Sequence, residues 1–211
     1  MKRWMFAAVV LLLAGAEAGA RAKLVNIWTA PGVQNLSFAN QKVIGLVISD
    51  DESLRMSGEE ALASELTDRG IRGDAAYRVI PREELRDPQK AKGWFERTGA
   101  TGVVAMRLVD VNKEVSQPEV IWTSATYASF WNYYPYGWGS TFTIVPGRND
   151  TKIKIETLVY DLSGDKLIWA ATSETTNPKS VRAAVKDIVQ ATADEMKKRG
   201  LTRRLSLDVS R

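Results

Sequence analysis

An acidic cluster, Asp50-Asp51-Glu52, directly follows an apolar run, and a further carboxylate, Asp110, ends a second apolar run. Carboxylates at the ends of neighbouring strands are ligands that Mg²⁺ prefers. One hypothesis is therefore a metal-assisted hydrolase built on Asp50, Asp51 and Asp110. The interpretation we favour is a solvated strand end that leads into a helix, whose partly positive amino terminus favours acidic residues. We predict no catalytic residue, no metal and no cofactor.

The amino-acid composition excludes most other classes of catalytic and metal site. The 211 residues include no His and no Cys, which excludes His-based catalysis, thiol nucleophiles, disulfides and the usual zinc sites. Ser163 and Lys166 have the spacing of penicillin-recognising enzymes, but the Gly-Asp pair between them is typical of a tight hairpin turn. With 45% hydrophobic and 26% charged residues, the chain is expected to be globular. Since it has no His, no Cys and no convincing catalytic motif, we expect it to be non-enzymatic.

The most unusual stretch is residues 120–147, here called the aromatic segment. It carries no charge and holds half of the chain's Trp, Tyr and Phe residues. Pro135, Gly137 and Gly139 interrupt its periodicity, so neither helix nor strand is predicted between residues 128 and 140. Long segments of this kind are usually functional.

We interpret the aromatic segment as an exposed binding surface, since Tyr and Trp combine a large apolar area with a polar tip. The candidate binding residues are Trp131, Tyr133, Tyr134, Tyr136 and Trp138. Two alternatives stay open. Strands at 119–127 and 140–145 would join the sheet and bury the rings in the core, or the rings would insert at a membrane interface.

The amino terminus has the three-part pattern of a secretory signal peptide: Met1-Lys2-Arg3, an uncharged run from Trp4 to Ala16, and small residues beyond. The uncharged run is shorter than the roughly 20 residues that a membrane-spanning helix needs. Cleavage fits after Ala20 or after Ala22. We prefer Ala22, which gives a signal peptide over residues 1–22.

Within this leader, Leu13-Ala14-Gly15 matches the start of a bacterial lipobox. The next residue, Ala16, stands where the lipidated Cys must be, so no lipid anchor can form at that position. The leader also holds three basic residues against one acidic residue, which reduces the net charge of +4 to +2 in the mature chain. No basic stripe accompanies that charge, so we predict no nucleic-acid partner.

Alternating strand and helix patterns predict the fold of the rest of the chain. Residues 23–41 are a lead-in, expected either to add an edge strand or to wrap the domain. The predicted strands are Lys42–Ser49, Tyr77–Ile80, Gly102–Val111 and a hairpin over residues 151–171 with Lys152, Lys154 and Glu156 on its solvent face. The predicted helices start at Ser57, Asp87 and Asn177-Pro178. We therefore expect one α/β domain over residues 42–211, with α+β character in its carboxy-terminal half, about five strands in a mixed sheet and three main helices.

Several runs resemble a group of uncharacterised exported bacterial proteins that are commonly predicted to be lipoproteins. The runs are KVIGLVISDDESLR, EEALASELTDRG, TGVVAMRLVD and IETLVYDLSGDKLIWAATSETTNP. The order of elements is also similar to that of the amino-terminal domain of the periplasmic Tol-system protein and of a curli-secretion lipoprotein domain. The resemblance implies an envelope location and an α/β fold, and it supplies no reaction. At Ala16 the chain departs from the lipoprotein members.

Together these observations predict a protein of the bacterial periplasm or outer envelope that acts as a binding or assembly module. The expected partner is another envelope protein or an envelope polymer. Peripheral contact with a membrane would involve the aromatic segment or the basic carboxy-terminal residues from Lys197 onward.

Overall fold

A computed structural model describes residues 22–34, 37–109, 121–141 and 152–201. They form a six-stranded mixed sheet with six helices, an α/β fold as predicted, with one strand more than expected. The strands are β1 Lys23–Thr29, β2 Lys42–Ile48, β3 Arg72–Ala75, β4 Gly102–Val109, β5 Lys152–Asp161 and β6 Lys166–Thr176. The helices are α1 Glu52–Thr67, α2 Ala76–Val79, α3 Pro88–Thr98, α4 Ala125–Ala128, α5 Phe130–Gly139 and α6 Val181–Lys198.

The strand order is β1-β6-β5-β4-β2-β3. Strand β2 runs parallel to both β3 and β4, and the other neighbours are antiparallel. The lead-in supplies the edge strand β1, paired with β6. Helices α1 and α6 pack on one face of the sheet, here called the two-helix face, and α2 to α5 pack on the other, here called the aromatic face.

Helix α3 and the β5–β6 hairpin confirm the sequence-based prediction. The Asp87 side chain accepts from the amide of Gln89 at 3.0 Å, with Pro88 in the first turn. Gly99 follows the helix with φ of 66°, the left-handed conformation that favours glycine. Both signals lie at the ends of one helix, so the helix can be predicted without knowledge of its tertiary contacts.

The predicted strand at Tyr77–Ile80 is wrong. The strand is Arg72–Ala75, and Tyr77 lies in α2. Packing against α1 decides the location, because a Cβ on Gly73 would lie 2.4 Å from the carbonyl oxygen of Ala63. Only a residue without a side chain allows this close approach, so a polar, glycine-containing tetrapeptide forms the strand.

Two predicted helix starts are also wrong. Helix α1 begins at Glu52 rather than Ser57, because the Asp51 side chain accepts from the amide of Leu54 at 3.0 Å. Helix α6 begins at Val181, capped by Ser180 rather than by Asn177-Pro178. Asn177 has φ of 50° at the end of β6, so the chain turns there before the helix starts.

Candidate contact surface of the aromatic segment

The aromatic segment forms helices where no regular structure was predicted. Residues 125–128 and 130–139 are helical, which also rules out a strand over 119–127, while residues 142–145 lie outside the described ranges. The side chain of Ser129 caps α5 by accepting from the amide of Asn132 at 3.3 Å. Pro135 removes one backbone donor from a ten-residue helix, and burial of the aromatic rings outweighs that cost.

The β5–β6 hairpin fixes the position of α5. Asp165, at the tip of the hairpin, accepts from the hydroxyl of Ser129 at 2.6 Å and from the amide of Phe130 at 2.9 Å. A carboxylate at this end of a helix is favoured by the helix dipole. The Ser163–Lys166 tetrapeptide is therefore a hairpin turn, as predicted. Through Asp165 it also binds the first turn of α5.

Three of the five predicted binding residues are not on the surface. Tyr133 and Tyr134 are fully buried and Trp138 is 7% exposed, so the prediction that they form an exposed surface is wrong. Their rings complete the core of the aromatic face around Phe95 and Phe130, whose ring centroids lie 5.3 Å apart. The aromatic segment therefore supplies much of the core that covers this face of the sheet.

Trp131 and Tyr136 keep solvent access. Trp131 is half-buried, with the Lys92 ammonium 5.8 Å from its ring. Tyr136 is 41% exposed, and its ring centroid lies 5.6 Å from that of Tyr127. The Arg107 guanidinium lies 5.4 Å from the Tyr136 ring on its protein side. Tyr136 is therefore a surface aromatic whose orientation is supported from below.

Arg107 and Glu156 form a buried ion pair beneath Tyr136. They lie opposite each other on β4 and β5, each about 4% exposed, with 2.9 Å between Nη2 and the carboxylate. Trp122 Nε1 also donates to the Glu156 carboxylate, at 3.1 Å. The Tyr133 hydroxyl donates to it as well, at 3.3 Å. Arg107 also donates to the Ser140 carbonyl, at 3.0 Å. The prediction that Glu156 faces solvent is wrong, because Arg107 of β4 and two residues of the aromatic segment bind its carboxylate in the core.

Burial raises the pKa of the Tyr133 hydroxyl well above its usual value, and the nearby Glu156 carboxylate adds to the shift. Burial and Glu156 also raise the pKa of Tyr127. Both hydroxyls therefore stay protonated, and that of Tyr133 donates to Glu156. The sequence signal for this network was Arg107 inside an otherwise apolar strand.

A second buried carboxylate, Glu59, lies on α1. It accepts from the amide of Tyr77 at 2.6 Å, from the amide of Val47 at 3.3 Å and from Arg55 at 3.4 Å. Burial raises the pKa of Glu59 to about 7, more than Arg55 and the two amides lower it. The predicted helix start at Ser57 gave no indication that Glu59, two residues later, is buried.

The acidic residues of the metal hypothesis have other partners. Asp51 caps α1, and Asp50 contacts the guanidinium of Arg86 and the hydroxyl of Thr141. The Thr141 and Arg86 hydrogen bonds lower the pKa of Asp50. Asp110 lies outside the described residues. Across the described ranges, His, Cys, Asp and Glu side chains form no group of three that could hold a metal ion.

The two-helix face leaves one apolar groove, of about 250 Å³, at the carboxyl ends of β2 and β4. It lies between the first turns of α1 and α6, and its apolar lining includes Val47, Met106 and Val185. Asp51 and Ser180 reach its rim, and both side chains already cap the helices beside it. Arg107 also lines the groove, and its guanidinium is already paired with Glu156.

No family model matches this chain, and no curated protein matches it. Among solved structures, the chain is similar to the PelC dodecamer from Paraburkholderia phytofirmans, at 14% sequence identity and a TM-score of 0.44, covering 81% of this chain and 96% of that chain. It is also similar to the lipoprotein GNA1162 from Neisseria meningitidis, at 13% identity and a TM-score of 0.38, covering 76% of this chain and 99% of that chain.

Both TM-scores lie below 0.5, so these likenesses are limited to a general similarity of fold. A lipoprotein is among the structures that the chain resembles, whereas similarity to the Tol-system domain stays a prediction. In the part of the chain that the structure describes, no helix has the length and apolar character needed to cross a membrane.

Proposed function

We propose that this chain is an exported protein of the bacterial envelope that acts as a non-enzymatic binding or assembly module. The three-part leader supports export. The observation that carries the binding role is Tyr136, an aromatic side chain that stays 41% exposed although the rings of Tyr133, Tyr134 and Trp138 in the same helix are buried. The large apolar side chains that are exposed within the described ranges are Met56, Ile121 and Tyr136, and two of these three belong to the aromatic segment.

Tyr136 has the properties of an interface anchor. Its backbone is held in α5, and Arg107 and Tyr127 support its ring, so little side-chain entropy remains to be lost on binding. Tyr residues of this kind are enriched among the residues that dominate protein interfaces. The partner that fits best is another envelope protein, and half-buried Trp131 extends the same segment as a second contact.

The experiment is a pull-down from separated envelope fractions with the processed protein, recovered after expression with its own leader. The test variant is Tyr136→Ser. The matched control is Met56→Ser, which removes an equally exposed apolar side chain from α1. We expect the wild type and Met56→Ser to retain the same protein partner and Tyr136→Ser to bind it about tenfold more weakly or worse.

Thermal melting of all three proteins must show the same transition, because Tyr136 contributes little to the core. Retention of the partner by folded Tyr136→Ser would place the contact elsewhere on the surface. If the wild type retains a polysaccharide fraction and no protein, the partner is an envelope polymer rather than an envelope protein. Export of none of the proteins would overturn the envelope assignment itself.

A further inference from the structure

The apolar groove on the two-helix face lies where the topology of the sheet leaves an opening. Strands β2 and β4 are parallel neighbours, and residues at their carboxyl ends form part of its lining. The chain leaves β2 into α1 on the two-helix face, whereas the next described elements after β4, α4 and α5, lie on the aromatic face. Open α/β sheets bind ligands in the crevice at this kind of topological switch point.

We propose that this groove binds a single medium-chain fatty acid, with its hydrocarbon tail against the sheet and its carboxylate at the amino terminus of α6. The site lies on the face opposite Tyr136, so it goes beyond the proposed contact surface and does not depend on it. The lining of the groove, its volume and the charge at its rim all favour this ligand.

The lining of the groove suits a saturated hydrocarbon chain. It consists mainly of aliphatic side chains and Met106, and none of the described lining residues is aromatic. The thioether of Met106 adapts to a flexible chain. Leu54, Ile155 and Val181 are only partly buried, so a tail in the groove would remove their remaining apolar surface from water.

The polar groups of the groove disfavour a sugar or a nucleotide. Ser49 Oγ accepts from the amide of Asp51 at 3.2 Å, the Asp51 carboxylate caps α1, and the Ser180 hydroxyl caps α6. The Arg107 guanidinium is paired with Glu156. A ligand with many hydrogen-bonding groups would leave several of them without a partner, which costs affinity. A hydrocarbon tail has no such groups.

The volume of the groove restricts the ligand to one chain. Its 250 Å³ is less than the roughly 300–1,000 Å³ of pockets that hold drug-sized molecules. A lipid with two acyl chains therefore exceeds the groove. A single chain of medium length fits, with its head group at the rim in contact with water.

The charge at the rim places the head group at α6 rather than at α1. The first amides of a helix have no partner within the helix and carry partial positive charge. At α1 the carboxylates of Asp51 and Glu52 offset that charge. The first turn of α6 holds no acidic residue, and exposed Arg182 adds a positive charge beside Val181, which lines the groove. A carboxylate is therefore favoured beside Val181.

The direct test is methyl NMR of the processed protein, labelled with ¹³C at its methionine methyl groups and titrated with sodium decanoate below the micelle-forming concentration. Met106 lines the groove. Met56 is exposed on α1 outside the lining, and Met196 lies about 22 Å from Val181 along α6. We expect a saturable shift of the Met106 signal, with those of Met56 and Met196 unchanged. Replacing each methionine by leucine in turn assigns the three signals.

Val181→Asp tests the position of the head group. Aspartate is compatible with the first turn of α6, since its carboxylate interacts favourably with a helix amino terminus, but it makes the rim polar and repels the carboxylate of the ligand. We expect decanoate to bind at least tenfold more weakly to Val181→Asp. The matched control, Val181→Ile, keeps an aliphatic side chain and should bind within twofold of the wild type. Thermal melting checks that both variants are folded.

A comparison of decanoate with 1-decanol on the wild-type protein tests the head group without any substitution. We expect the alcohol, which has the same tail and no charge, to bind at least fivefold more weakly. Equal affinity for the two would overturn the placement of the carboxylate at α6.

Two other outcomes would overturn the site or its ligand. A Met106 signal that does not move, or that moves together with those of Met56 and Met196, would overturn the site, because general movement indicates detergent-like binding over the whole surface. A shift of Met106 with phosphatidylglycerol vesicles but not with decanoate would overturn the free fatty acid in favour of a membrane lipid.

Discussion

On the aromatic face, Glu156 is held by the side chains of Arg107, Trp122 and Tyr133, whereas on the helix of the opposite layer Glu59 is held by two backbone amides and one arginine. Glu156 links a strand pair to the aromatic segment. The difference shows two uses of a buried carboxylate, one to fix side chains and one to replace missing main-chain partners.

Glu59 substitutes for a strand at the edge of β2. The pairing of β2 with β3 ends at Gly45 and Ala75, so the Val47 amide, two residues further on, has no partner in β3. The Glu59 carboxylate accepts from that amide and from the amide of Tyr77 in the first turn of α2. One side chain thereby satisfies one buried and one partly buried donor, each of which would cost stability without a partner.

The largest expected effect comes from breaking the ion pair of the aromatic face. Arg107→Ala leaves the Glu156 carboxylate buried without a cation, and it also removes the support beneath Tyr136. We expect the free energy of unfolding to fall by about 3–5 kcal/mol. Urea denaturation followed by far-UV circular dichroism measures the loss.

The matched control for Arg107→Ala is Lys154→Ala on β5, whose partner Glu174 lies on the neighbouring strand β6. Lys154 lies 3.3 Å from Glu174, and both side chains are partly exposed. Solvent screens this pair, so its loss should cost less than about 1 kcal/mol. Similar losses in the two variants would mean that the buried network contributes no more than an ordinary surface pair.

A pH titration of stability tests the carboxylate of the other layer. Burial raises the pKa of Glu59 to about 7, above its usual 4.5, so the folded protein binds this proton more tightly than the unfolded chain does. The free energy of unfolding should therefore decrease as pH rises from about 4.5 to 7 and then level off. A shift of this size corresponds to about 3 kcal/mol.

Glu59→Gln removes the titration while keeping an oxygen that can accept from an amide. We expect its free energy of unfolding to be nearly constant between pH 5 and 8, measured by urea denaturation at several pH values. Glu60→Gln changes the next residue of α1, where the carboxylate is 37% exposed, and should keep the slope of the wild type. A wild-type slope that survives in Glu59→Gln would assign the titration to another group.

Helix α3 and strand β3 differ in how well the sequence predicts them. Helix α3 was predicted correctly because Asp87-Pro88 and Gly99 mark its ends within one short stretch. Strand β3 was misplaced because its position depends on Gly73 packing against α1, which a local pattern does not encode. Local signals thus identify elements, and close contacts between elements shift their boundaries.

The candidate site was less predictable than the fold. The uncharged composition identified the aromatic segment correctly as unusual, yet its rings separate into buried Tyr134 and exposed Tyr136 two residues apart. That separation depends on the orientation of α5. The hydrogen bond between Ser129 and Asp165 fixes this orientation, and these two residues are 36 positions apart in the chain. Arg107 and Glu156 likewise meet only through the register of β4 and β5.

The smallest expected effect concerns the helix cap at Asp51. Because its carboxylate accepts from the Leu54 amide at the start of α1, Asp51→Ala should lower the free energy of unfolding by about 1 kcal/mol. Asp51→Asn keeps a capping oxygen and should be nearly neutral, since Asn and Asp cap helices about equally well. Urea denaturation of both variants, with and without Mg²⁺, separates a cap from a metal ligand. A stability gain with Mg²⁺ that disappears in Asp51→Asn would revive the metal hypothesis, because only the carboxylate supplies the charge that the ion needs.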